Sequence, residues 1–221
     1  PTHQKGQLLD WPQLIGNSFF IAISSTVIVL VFGTLAGYAF ARLNFPGRDL
    51  ILGGLLISRM FQGAALLLPT YRLMSMIGLP DSLIGLVLLY SAFGLPFATW
   101  IIASSLREIP KELEESAMID GASRLQSMVM VVLPLATPAL ITASMWHFVG
   151  AWSEFAFASI LLESNENKTV TIGLASFVEL FTLEFQYVGA AATIVALPIM
   201  LVFFFGQRYF TRGLLAGAVK G

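Results

Sequence analysis

Arg59 stands inside an apolar stretch, in Ser58-Arg59-Met60-Phe61-Gln62. A guanidinium at the centre of a membrane helix costs about 2.5–3.5 kcal/mol on insertion scales, so it must face a partner, a cavity or water. Arg59 and Gln62 are therefore candidates for a polar translocation pathway. The other reading of Arg59 is a structural ion pair, with Glu154 or with a neighbouring subunit. Glu154 follows Trp152 in Ala151-Trp152-Ser153-Glu154-Phe155, a little after Trp146. Aromatic faces beside polar groups suit sugars, which have apolar faces and many hydroxyls, so Trp152 and Glu154 join the pathway candidates. The alternative is fold support at a helix break, with ordinary membrane tryptophans. His147 reads as hydrogen-bonded structure, and a pairing with the distant His3 makes no metal motif. The sequence has no Gly-x-x-x-x-Gly-Lys-Ser/Thr loop to hold nucleotide phosphates. It has no Gly-x-Ser-x-Gly nucleophile elbow either. It has no cysteine, which removes disulfides and thiolate chemistry. No catalytic residue, no metal site and no bound cofactor is assigned. The chemistry on offer is passage of a solute, not reaction.

The elements that must position these residues are helices in lipid. The 221 residues are 57% hydrophobic and 11% charged, with mean hydropathy +0.81. Soluble domains carry about 25% charged residues, so lipid is the better solvent for this chain. The net charge of −1 carries no signal for nucleic acid. A lipid-crossing helix needs about 20 mostly apolar residues. Five stretches qualify, at about 17–41, 50–76, 82–106, 127–162 and 185–209. The expectation is an all-α integral membrane protein, a single polytopic helical domain over 1–221. The fourth stretch is too long for one straight span. It holds Pro134, Pro138 and Gly150, which predicts a break. The polar start at Pro1 has no initiating methionine, and a sixth span upstream is expected. Gly33 and Gly37 form a G-x-x-x-G, read either as close helix packing or as ordinary membrane glycine.

Lys and Arg set the orientation. One set of connections carries Arg42, Arg48, Arg107, Lys111, Arg124, Arg208, Arg212 and Lys220, against Lys5, Arg72 and Lys168 on the other. This places the C-terminus inside. The inner connection at about 107–126 then holds a short helix. Pro110 suits its first turn, Glu112, Glu114 and Glu115 suit the positive end of its dipole, and Gly121 can end it. Leu113, Ala117 and Met118 share a flank. Interfacial helices carry Lys and Arg on their polar face, whereas this one is acidic, which favours a protein partner over lipid headgroups.

This loop resembles the signature of binding-protein-dependent ABC importer permeases: Glu-Ala-Ala, three residues, Gly, nine residues, Ile, any residue, Leu-Pro. Here it reads Glu115-Ser116-Ala117, Gly121, Val131, Leu133-Pro134. Every spacing matches, with Ser116 for alanine and Val131 for isoleucine. Ala41-Arg42-Leu43-Asn44-Phe45-Pro46-Gly47-Arg48 and the tail Arg212 to Gly221 resemble the carbohydrate branch of that family. The Trp152-Ser153-Glu154-Phe155 element is similar to its Trp-Asn-Glu-Phe, with Ser153 for asparagine. The resemblance implies a type I importer permease fold, in the cytoplasmic membrane of a prokaryote. It implies that the loop is a coupling helix seated on a separate ATPase, with Glu114, Glu115, Ser116, Ala117, Asp120 and Gly121 as docking residues. Glu115 would make the polar contact, Ala117 permit close approach and Gly121 permit the turn. Gly217, Lys220 and Gly221 would contact the ATPases from the tail. The implied partners are two ATPase subunits holding ATP and Mg, a second, non-identical permease, and an external solute-binding protein that the loop 163–184 would probe. The solute would be a sugar or a sugar-like compound. Two other classes compete: an ion-gradient-driven secondary transporter or channel, which calls for several buried acids near mid-membrane, and a membrane scaffold or enzyme, which leaves the coupling loop unexplained.

Overall fold

The computed structural model of the chain describes residues 10–61, 63–180 and 185–218, and for 64, 177–180, 185–187 and 208–218 only the backbone. Every regular element among the described residues is helical. In order they are α1 (Trp11–Arg42), α2 (Arg48–Ser58), α3 (Leu67–Met76), α4 (Leu83–Glu108), α5 (Lys111–Ile119), α6 (Arg124–Ser127), α7 (Leu133–Leu135), α8 (Thr137–Ser153), α9 (Ala156–Leu161), α10 (Val170–Leu180) and α11 (Phe185–Ala218). Two 3-10 turns, Arg59–Phe61 and Ala64–Leu66, lie between α2 and α3, and a π turn, Met128–Val132, between α6 and α7.

The core is α1 packed along α4, with α8 across both. The glycines at 33 and 37 make that first contact possible. A Cβ on Gly37 would stand 2.9 Å from Ile102 Cγ2 and 3.2 Å from the Ala103 backbone nitrogen. The G-x-x-x-G is therefore a packing device between two helices of this chain. Ala98, Ile102 and Leu106 of α4 are buried there with Val29, Tyr38 and Ala41 of α1. Outward, α1 exposes Phe20, Ile23, Val27, Val31 and Leu35, an apolar face fit for lipid or another transmembrane subunit.

Among the described residues, three helical stretches are long and apolar enough to cross a membrane: Trp11–Arg42, Leu83–Glu108 and Val188–Gln207. A fourth crossing is available as a bent pair, Arg124–Leu135 with Thr137–Ser153, at 76°. The bend falls at Ala136, between Pro134 and Pro138 and just after the π turn, where backbone donors are missing and the ladder is already out of register. The chain breaks again at Glu154, which is extended. The stretch 50–76, expected as one continuous span, is instead divided. Gly63 takes a φ of +125°, which a helix does not accommodate. A helix running into Pro69 would press its ring on the carbonyl one turn back, so α3 starts just ahead of it.

Candidate functional site

At one end of the bundle Arg42, the last residue of α1, meets the acidic helix α5. Glu114 is turned inward. Tyr38 Oη donates to its Oε1, and Arg42 Nε donates to Oε2 at 2.8 Å. The Arg42 and Glu114 side chains are each only 5% exposed. Arg42 Nη2 also donates to the Ile109 carbonyl at 3.0 Å, just past the end of α4. Ser127 Oγ donates to the Glu114 carbonyl at 3.1 Å, which ties α5 to α6. The side chain of Glu114, grouped from sequence with the docking residues, anchors α5 to α1 and is no part of the free surface. The sequence pattern put Leu113, Ala117 and Met118 on one flank of α5. The structure leaves Leu113 exposed and packs the carboxylate, because Arg42 and Tyr38 wait for it across the interface.

The opposite face of α5 is open. Glu112, Glu115, Ser116 and Asp120 are exposed, and Ile119 is 85% exposed. The helix ends as the glycine predicts. Gly121 takes a φ of +96°, its N–H donates to the Met118 carbonyl at 3.1 Å, and the Ala122 N–H reaches the Ala117 carbonyl at 3.0 Å. Ser123 then caps α6, its Oγ accepting from the Gln126 N–H and its N–H donating to the Gln126 side chain. A rigid turn thus presents an acidic and apolar knob. Arg107 Nη2 donates to Asp49 Oδ1 at 2.6 Å and to the Phe40 carbonyl at 3.3 Å, which joins α4 to α2 and α1.

Midway along the bundle lies a cavity of about 180 Å³, lined by Arg59, Tyr90, Phe93, Gly94, Trp146, His147 and Glu154 among others. Arg59 and Glu154, set far apart in sequence, do share it. They form no ion pair with each other. Arg59 Nη1 donates to the Phe93 carbonyl at 3.1 Å, and its guanidinium lies 5.3 Å from the Phe97 ring centroid. Among the described residues no carboxylate is within ion-pair distance of Arg59. Glu154 works locally instead. It caps the start of α9, accepting the Phe157 N–H at 2.9 Å and the Ala158 N–H at 3.1 Å, and takes the Tyr90 hydroxyl at 2.5 Å. His147 Nε2 is 3.0 Å from Ser25 Oγ. Its ring lies against Gly94, where a Cβ would come within 2.2 Å of Nδ1.

Trp152, named from sequence for the pathway, does not reach this cavity. It is 1% exposed, stacks on Phe148, packs on Phe19 and donates its indole N–H to the Val195 carbonyl at 3.0 Å. It is core, since it lies about 240° around the helix from Trp146. Trp146, 59% exposed and 5.2 Å from the Phe97 ring, stands in its place. Tyr90, Phe93 and Gly94 were missed altogether. They sit in a uniformly apolar helix, and the one sequence signal was a phenol next to serine at 90–91. Gln62, Lys220 and Gly221 lie outside the described residues, and Gly217 falls in the backbone of α11.

The other end of the bundle is polar as well. Asn17 Nδ2 donates to the carbonyls of Glu166 and Lys168, and Gln13 Nε2 to Glu166. Asp81 has a φ of 50°, and its Oδ1 accepts the N–H groups of Glu163 and Ser164. Burial pushes its carboxyl up, but hydrogen bonds from Ser164, Glu163 and Asn167 outweigh this and hold it below the ordinary carboxylate value. No group of three or more His, Cys, Asp or Glu residues that would hold a metal occurs among the described residues.

Long apolar helices, with a mostly apolar cavity between them that holds Arg59 and Glu154, fit a membrane permease. The chain belongs to the family described as binding-protein-dependent transport system inner membrane component, which matches residues 8–215, and it is a permease of the ABC importer kind. It is 37% identical over 207 residues to the trehalose transport system permease protein SugB of Mycobacterium tuberculosis, covering 93% of this chain and 76% of that one. It is 36% identical over 216 residues to the maltodextrin transport system permease protein MdxG of Bacillus subtilis, covering 96% and 76%. The fold matches a chain in the crystal structure of a bacterial ABC transporter involved in the import of the acidic polysaccharide alginate. That match has a TM-score of 0.78 at 22% identity and covers 90% of this chain and 75% of the other.

Proposed function

We propose that this chain is one of two non-identical permeases of an ATP-driven importer for a sugar or sugar-like solute. Two partner ATPases carry the ATP and Mg, and an external binding protein delivers the solute. The chain crosses the cytoplasmic membrane of a prokaryote five times within these residues, with its C-terminus inside. Glu115, Ser116, Ala117, Asp120 and Gly121 dock on an ATPase, and the tail at Gly217, Lys220 and Gly221 reaches the ATPase pair. One observation carries the reading: the acidic helix α5 is held rigidly from behind and leaves Glu115 and Ile119 uncovered. Such a face fits a protein cleft. Sugar relatives support the solute class.

Arg59, Gln62 and Glu154, with Tyr90 and Trp146, belong to the pathway. The cavity of about 180 Å³ is smaller than the ~300–1,000 Å³ of a typical ligand pocket. It takes part of a solute, and the second permease supplies the rest. The gradient-driven alternative calls for several buried acids near mid-membrane, and among the described residues Glu154 is the one carboxylate that lines the cavity. Gentle solubilisation from the native membrane, with companions identified by mass, should return an ATPase, a second permease and a solute-binding protein. Recovery of this chain alone would refute the assignment.

Two variants check the roles. Glu115→Ala should leave the complex assembled and lower transport at least about fivefold, the lower end of ordinary coupling energies. Unchanged uptake with normal assembly would remove Glu115 from the docking site. Arg59→Ala should change the solute dependence of uptake while the ATPases stay bound. Uptake kinetics like those of the native chain would take Arg59 out of the pathway.

A further inference from the structure

Two adjacent carboxylates on α5 point to different sides. Glu115 faces out, and Glu114 is buried between Arg42 and Tyr38 of α1. Consecutive helical residues are about 100° apart, so this division follows from the helix itself. A buried ion pair is a poor source of net stability, and its best-attested use is to fix one arrangement against others. Sliding α5 along α1 would strand a charge in an apolar interface. The Arg42 bond to the Ile109 carbonyl closes the same joint from the side.

From this joint α1 runs 32 residues without an interior proline, about 48 Å at 1.5 Å per residue. The 50–76 stretch and the 124–161 stretch are both broken. At its far end α1 holds the outer loop through Gln13 and Asn17. We infer that Glu114 is a positioning residue that locks α5 to α1, so that the two move as one rigid body and α1 carries the displacement of the docking helix across the membrane to the outer loop. The inference rests on the docking role of α5 proposed above.

The test uses the assembled transporter. The chain has no cysteine, so spin labels can be placed at Glu112→Cys and Leu43→Cys, both exposed. Their separation is measured without nucleotide and with a trapped ATP analogue, while transport per ATP hydrolysed is read in proteoliposomes. The native separation should be the same in both states. Glu114→Gln keeps the side-chain shape and an acceptor for Tyr38 but loses the charge. It should let the separation change with nucleotide and lower transport per ATP at least about fivefold, with the ATPases still co-purifying. The exchanged pair Arg42→Glu with Glu114→Arg should recover most of the ratio. A native separation that shifts with nucleotide would overturn the rigid joint. So would an assembled Glu114→Gln complex with native separation and native transport per ATP, or an assembled exchanged pair with no recovery. Absence of ATPases from the native complex would overturn the docking reading instead, and co-purification reports that separately.

Discussion

Arg42→Ala should lower the unfolding free energy of the chain by about 3–5 kcal/mol, because it leaves the Glu114 carboxylate buried without its cation. Both side chains of this pair are almost wholly excluded from solvent, so water cannot take the place of the guanidinium. Tyr38 still donates one hydrogen bond to Glu114, but a neutral hydroxyl does not balance a charge. The loss is read from the denaturant midpoint in mild detergent, at unchanged slope. Replacing both charges with apolar residues of similar length, Arg42→Met with Glu114→Leu, should cost much less than the single change, since no charge is then stranded. A cost below about 1 kcal/mol for Arg42→Ala, the range of an exposed pair, would mean that the joint is open to water.

Glu154→Ala should cost about 2–4 kcal/mol. Its two oxygens accept two N–H groups at the start of α9 and the hydroxyl of Tyr90, a side chain that is itself buried. Hydrogen bonds to charged groups contribute about 1.5–3 kcal/mol, and a buried hydroxyl left alone costs about 1–3 kcal/mol. Glu154→Gln keeps one acceptor and should lose about half as much. The same denaturant titration measures both, and transport should fall in step because Glu154 and Tyr90 form one wall of the cavity. Equal stability of Glu154→Ala and the native chain would show that the break after α8 is held by something other than this carboxylate.

The two variants mark where the sequence could be read and where it could not. The acidic loop was legible because local rules govern it: Pro110 at the start, Gly121 with a positive φ at the end, and the family spacing through Pro134. What Glu114 does was not, because its partners lie on a helix more than seventy positions earlier in the chain, and adjacent glutamates look alike on paper. The break in the fourth stretch followed from Pro134 and Pro138. The division of the second stretch turned on the backbone of Gly63, an ordinary glycine until its φ is known. Arg59 and Glu154 stood out because charge in an apolar stretch is expensive. Tyr90 and Phe93 carried no such mark, and Trp146 and Trp152 could be told apart only by their position on the α8 surface.

Uptake into proteoliposomes tests the central claim most directly. The chain is reconstituted with the second permease and the ATPases proposed for it, ATP is sealed inside, and labelled sugar is offered outside with and without the proposed solute-binding protein. Uptake should require both ATP and the binding protein and should persist when every ion gradient is collapsed. Uptake by the chain alone, driven by an imposed proton or sodium gradient and indifferent to ATP, would contradict it.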